Sequence, residues 1–183
     1  DNFDADNNKV GLKELNPRWM FLRDFVDCYK VENGKLKFNL LPGNIYKREP
    51  MSAIWARQQH GTFTAETEIN FTPRNDKDIA GLALLQKEDY NFVLGKTMKK
   101  GKLMITLTRA EKNNALIASA PIKAGKLKLK VEGHDRYYDF YYAEEGGSWQ
   151  LLAKGVDASN LSTQKSGGFI GACIGLYASS NKE

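Results

Sequence analysis

The clearest periodicity in the chain is TFTAETEINF, residues 62–71, where polar and apolar side chains alternate without a break. A period of two belongs to a strand with one face in a core. Phe63, Ala65, Thr67, Ile69 and Phe71 then point one way, and Thr62, Thr64, Glu66, Glu68 and Asn70 the other. KLKLKVE, residues 126–132, repeats the pattern, with Leu127, Leu129 and Val131 inward and its lysines on the wet face. YNFVLGK groups Tyr90, Phe92 and Leu94, and LMITLTR groups Leu103, Ile105 and Leu107. KLKFNL groups Leu36, Phe38 and Leu40 after an Asn33-Gly34 turn signal. IAGLALLQ, residues 79–86, is more continuously apolar and predicts a more fully buried strand. ALIASAPI, YYDFYYA, SWQLLAK and GGFIGACIGLY, the last at residues 167–177, complete the series. Gly, Asn, Asp and Pro punctuate these runs every 8–12 residues or so, the spacing of a sandwich or barrel. NPRWMFLRDFVDCY, residues 16–29, is the one helical candidate, and Pro17 with its dense aromatics leaves its conformation open. The pattern predicts an all-β fold, a two-sheet antiparallel β-sandwich. With no linker, repeat or low-complexity segment, it also predicts a single domain over residues 1–183.

Composition narrows the partners. A 183-residue chain with 42% hydrophobic and 27% charged residues can bury a sizeable core. The net charge of +5 is mild, and the lysines are spread over strand faces rather than clustered with aromatics, which argues against a nucleic-acid surface. No apolar run approaches the roughly 18 residues that span a bilayer, so no membrane partner is expected. No signal peptide is visible, and the opening DNFDADNN suits a mature or excised N-terminus as well as a cut domain boundary; an extracellular or periplasmic setting is favoured over a cytoplasmic one. Cys28 in FVDCYKV and Cys173 in FIGACIGLY read as two buried thiols, with a bridge as the alternative if their strands are neighbours. No CxxC or HxxxH spacing offers a metal site.

Two chemistries compete for the polar residues. A glycosidase needs two carboxylates at a defined separation. Glu66 and Glu68 share a face, but Phe71 stands where a third acidic residue would be, and the pair reads more simply as solvated surface. Of the two histidines, His60 lies in WARQQH and His134 in EGHDRYY, where it is expected in a hairpin turn. Sugar binding fits better. Trp55, Tyr137, Tyr138, Tyr141, Tyr142 and Trp149 supply flat rings, and Arg57, Gln58, Gln59 and His60 supply donors and acceptors. If Tyr138, Phe140 and Tyr142 face the core, Tyr137, Asp139 and Tyr141 line the outer face. The same tyrosines also suit ordinary strand positions at a core boundary, and Arg57 also suits a cross-strand ion pair.

The order of segments resembles the C-terminal concanavalin A-like (jelly-roll) domain of glycoside hydrolase family 43 β-xylosidases. The resemblance rests on WMFLR, GKLKFNL, ARQQHGTFTAETEINFTP, IAGLALLQ, YDFYYAEEGGSWQLLAKGVDASNLS and GGFIGACIGLYA, in that order across essentially the whole chain. It implies a two-sheet jelly roll without catalytic residues of its own, packed on a separate five-bladed catalytic propeller and shaping the mouth of a pocket for xylo- or arabino-oligosaccharides. An aromatic before the final strand, Phe169 here, would reach that pocket. Gly168 and Ile170 depart from the family's usual aromatic and threonine, and relatives usually run on to one more aromatic strand after GLYA. A free-standing carbohydrate-binding module or lectin, and a jelly-roll glycosidase acting alone, are the rival readings. No cofactor is expected beyond a structural calcium ion, for which Asp4, Asp6 and Asp157 are the candidate ligands.

Overall fold

A computed structural model of the chain describes residues 1, 3, 15–22, 25–168 and 171–180. Its strands are β1 (Tyr29–Glu32), β2 (Lys35–Phe38), β3 (Ser52–Arg57), β4 (Thr62–Ile69), β5 (Ile79–Lys87), β6 (Tyr90–Lys99), β7 (Lys102–Glu111), β8 (Asn113–Pro121), β9 (Leu127–His134), β10 (Tyr137–Glu144), β11 (Gln150–Asp157) and β12 (Cys173–Ser179). A 3-10 turn at Ser159–Leu161 and the one-turn helix α1 (Thr163–Ser166) lie between β11 and β12. Six strands form one sheet in the order β3-β12-β5-β6-β7-β8, four form a second in the order β11-β10-β9-β4, and β1 and β2 form a hairpin. Every ladder is antiparallel.

The alternation read from the sequence places the core between these sheets. Leu82, Leu84, Phe92, Leu94, Ile105 and Leu107 of the six-stranded sheet meet Leu127, Leu129, Val131, Tyr138, Phe140 and Tyr142 of the other. Phe63, Ala65 and Ile69 pack against the same core, while Glu66 and Glu68 are exposed. The near-continuous apolar run of β5 has a separate cause. Its second face, with Ala83 and Leu85, lies in another cluster with Trp55, Val93, Cys173 and Tyr177, covered by Ile45, Met51, Met20 and Tyr46. A strand buried on both faces loses its alternation.

That reasoning also explains β3, for which no strand was expected. SAIWAR carries no period because Ile54 packs toward the β1–β2 hairpin with Leu15 and Tyr29, whereas Trp55 packs on the opposite face. Trp55 is therefore a core residue, 1% exposed, and not a sugar platform; Tyr138 and Tyr142 are likewise core. Its indole lies over Gly175, where a Cβ would come within 2.3 Å of Trp55 Cε3. Residues 16–29 form no helix among the described residues: Met20 bridges to Trp55 by two backbone bonds of 2.8 and 2.9 Å, and Tyr29 opens β1. The last strand begins at Cys173 and not at Gly167, because Gly167 and Gly168 adopt positive φ of 71° and 88° and turn the chain.

Cys28 and Cys173 are buried free thiols, and burial pushes both above the ordinary thiol pKa. They sit toward opposite ends of β3, Cys28 Sγ against the Met51 carbonyl and Cys173 across from Arg57, so the bridged alternative is not met. Among the described residues no helix is long and apolar enough to cross a membrane.

Candidate functional site

Where β3 runs into β4, the chain passes through Arg57, Gln58, Gln59, His60 and Gly61. Four contacts fix this corner. Gln58 N–H donates to the Ala172 carbonyl at 3.0 Å, and Asp135 N–H donates to the Gly61 carbonyl at 3.0 Å. Gln58 Nε2 donates to the Tyr138 hydroxyl at 2.9 Å and to the His60 carbonyl at 3.2 Å. Tyr138 is itself wedged. Gly133 leaves room for the Phe63 ring, which a Cβ there would meet at 2.2 Å, and Phe63 packs edge-on against Tyr138 at 5.2 Å. Gln58 is thus an anchor. Arg57, Gln59 and His60 are exposed, and among the described residues their side chains hold no hydrogen bond or ion pair. The cross-strand neighbour of Arg57 is Cys173 and not a carboxylate, so the ion-pair alternative is not met there.

The ladders bring the two histidines to one end of the sheet. Thr62 of β4 and Tyr137 of β10 both pair with His134. His134 is the last residue of β9 and lies in the ladder; the expected hairpin turn is made by Asp135, at φ 55°, and Arg136. Tyr137 is half exposed, with the Arg136 guanidinium 5.6 Å from its ring centre. Arg136 grips Asp157 through bonds of 3.2 and 2.6 Å and holds that carboxyl well below the usual carboxylate range. Asp157 also accepts from Ser159 N–H at 2.8 Å. Its oxygens are committed to this pair and to the 3-10 turn, leaving it a poor calcium ligand. Asp4 and Asp6 lie outside the described residues.

The segment that carries Phe169 is docked at the same end. Asn160, fully buried, donates to the carbonyls of Ala110 at 2.8 Å and Asn91 at 3.4 Å. This pins the 3-10 turn on β6 and β7, and α1 follows with Ser162 capping it. Phe169 itself lies outside the described residues. The sequence reading missed Asn160, Arg136 and their roles; the only signal was the polar stretch DASNLS, which has no period.

Tyr141 and Trp149 belong to a different patch, the wet face of the four-stranded sheet. Lys130 Nζ sits 4.3 Å from the Tyr141 ring centre and 5.0 Å from that of Trp149. Lys130 also pairs with Glu132 at 2.7 Å. Burial, followed by the neighbouring Glu132 and Asp139 carboxylates, pushes the Tyr141 hydroxyl pKa up. Farther along, a cleft of about 900 Å3 separates β4 from β2; Phe38, Glu66, Glu68, Phe71 and Trp149 line it, and Gly81 and Leu176 lie at its base. Glu68 is paired with Lys126 at 3.5 Å, as suits a solvated face.

Comparison with known proteins places this geometry. The family model described as beta-xylosidase C-terminal concanavalin A-like domain matches residues 10–183. A xylosidase/arabinosidase of Butyrivibrio fibrisolvens is 32% identical over 177 residues, covering 96% of this chain and 33% of the relative. Among solved structures, a GH43_12 protein retrieved from capybara gut metagenome is 28% identical with a TM-score of 0.82, covering 91% of this chain and 33% of its own. The xylan beta-1,4-xylosidase from Bacillus halodurans C-125 shares the fold, with a TM-score of 0.87 at 21% identity, covering 98% of this chain and 35% of its own. The chain spans about a third of the length of the curated relatives it matches. The two-sheet antiparallel architecture and the match over residues 10–183 agree: this chain belongs to the family of beta-xylosidase C-terminal concanavalin A-like domains.

Proposed function

We propose that the chain is the non-catalytic C-terminal accessory domain of a β-xylosidase/α-L-arabinofuranosidase-type glycoside hydrolase. In this reading it forms one concanavalin A-like unit over residues 1–183, braces a catalytic five-bladed propeller and shapes that propeller's sugar pocket. One observation carries the proposal. Arg57, Gln59 and His60 stand on a corner anchored to the core through Gln58 and Tyr138, yet have no partner of their own among the described residues. The backbone that presents them is fixed before contact, which limits the ordering cost of binding to the side chains themselves, and an arginine fork suits a carboxylate or a backbone carbonyl on a facing surface. Tyr137 and the segment leading to Phe169 share that end and are the groups we assign to the pocket rim.

The rival reading, an autonomous glycan-binding module, rests on Tyr137, Tyr141 and Trp149. It is weaker because Arg136 lies against the Tyr137 ring, and Lys130 against the Tyr141 and Trp149 rings, where a pyranose would stack. The test uses the full-length enzyme that carries this domain, with Arg57, Gln59 and His60 all changed to alanine. The proposal expects the domains to melt separately instead of together, and the KM for aryl-xyloside or aryl-arabinofuranoside substrates to rise. Unchanged melting and unchanged kinetics would overturn it.

A further inference from the structure

One cluster on the wet sheet face is used by neither the corner nor the pocket rim. Glu132 and Asp139 stand directly opposite each other on β9 and β10, and His134 lies two residues on. One ligand atom from each of the three, an imidazole nitrogen and two carboxylate oxygens, lies within 4.8 Å of the others. Like charges placed opposite each other across a ladder repel. Here they are held in place by outer contacts. Gly155, at φ 61° on a bulged stretch of β11, turns its N–H onto Asp139 Oδ1 at 2.6 Å. Lys130, itself largely buried beneath Tyr141 and Trp149, takes Glu132 Oε1 at 2.7 Å. The Tyr141 hydroxyl lies against both carboxylates as a neutral donor that a cation can displace, and the two carboxylates outweigh the single ammonium. Asp139 is only 9% exposed, so its remaining oxygen has little water to solvate it.

We propose that Glu132, His134 and Asp139 form a binding site for a divalent first-row transition cation such as Zn2+, which ties β9 to β10. The mixed set selects the metal class. An imidazole with two carboxylates suits Zn2+, Mn2+, Co2+ or Cu2+, whereas Ca2+ and Mg2+ favour all-oxygen shells. Ligands on paired strands are fixed by the ladder. The Gly155 and Lys130 contacts orient the two carboxylates much as outer-shell hydrogen bonds orient ligands in known metal sites. The site is independent of the accessory role argued above and adds a cation to the domain whatever its partner.

The chain has two histidines, which makes the test specific. Calorimetry of the chain with Zn2+ is expected to give one equivalent with micromolar affinity. Glu132→Gln, Asp139→Asn and His134→Asn should each weaken it about tenfold or more, and His60→Asn should leave it unchanged. In a second measurement that needs no variant, substoichiometric Cu2+ should broaden the His134 ring resonances before those of His60. No saturable Zn2+ binding at millimolar metal would overturn the site. So would binding that survives His134→Asn but falls with His60→Asn, or ring resonances that broaden together.

Discussion

The Gln58–Tyr138 contact yields a prediction whose magnitude depends on which partner is removed. Tyr138→Phe keeps the ring, with its packing on Phe63 at 5.2 Å and Phe92 at 6.5 Å, and deletes the hydroxyl that meets the Gln58 amide at 2.9 Å. Gln58 is half-buried, so its freed amide turns to water and the loss is that of one net hydrogen bond, about 1 kcal/mol. Gln58→Ala does the reverse. It strands the hydroxyl of a tyrosine that is 3% exposed, and an unpaired buried hydroxyl costs about 1–3 kcal/mol. The glutamine variant should therefore be the less stable of the two. Combining both changes should restore part of the loss, because the stranded group is then gone. Urea unfolding of the isolated chain reads this out. With an m-value of about 2 kcal/mol/M, Tyr138→Phe should lower the midpoint by about 0.5 M and Gln58→Ala by more. A larger loss for Tyr138→Phe than for Gln58→Ala, or strict additivity in the double variant, would refute the idea that this bond anchors the corner.

Other consequences follow from single residues. Gly175→Ala places a Cβ 2.3 Å from the Trp55 indole and 2.6 Å from the Ile54 carbonyl, neither of which can retreat, so it should cost about 3 kcal/mol and lower the melting temperature by roughly 6–12 °C; a melt unchanged within about 2 °C would contradict the packing described. Burial works against the Asp78 carboxylate, yet bonds from Arg74 and Ser180 outweigh it and hold its pKa below the ordinary value. A depressed carboxylate stabilises the fold above its unfolded pKa, and the contribution is lost as pH falls through the folded one. Asp78→Asn should thus cost about 2–3 kcal/mol at neutral pH and flatten the stability profile below about pH 4, and an unchanged acid limb in a denaturation series would sink this. Burial pushes the Tyr177 hydroxyl up to about 12. Its contribution is complete below the unfolded value and is lost as pH rises toward the folded one, so about 2–3 kcal/mol should disappear between about pH 10 and 12, and Tyr177→Phe should remove that slope.

Much of this fold was legible because most strands bury one face. The ten alternating residues of TFTAETEINF and the tyrosine parity of YYDFYY gave the inner and outer faces directly, and both agree with the observed burial of Phe140 and exposure of Glu66. β3 was illegible for the opposite reason: covered on both faces, SAIWAR has no period to read, and Trp55 looked like a binding residue because its context was polar. The site was legible only in part. Arg57, Gln59 and His60 do stand together, but the anchoring of Gln58 depends on Tyr138, which lies 80 residues away in sequence. Tyr141 and Trp149 could not be separated from the corner without knowing strand order. The Arg136–Asp157 and Glu132–His134–Asp139 groupings arise from ladder register and a bulge, which short-range pattern does not encode.

The most direct test of the central claim is a calorimetric titration of the isolated chain with xylo- and arabino-oligosaccharides. An accessory domain that works against a catalytic partner should give no saturable heat at millimolar sugar. Saturable heat that disappears in Tyr141→Ala or Trp149→Ala would contradict the account and make the wet sheet face an autonomous glycan site.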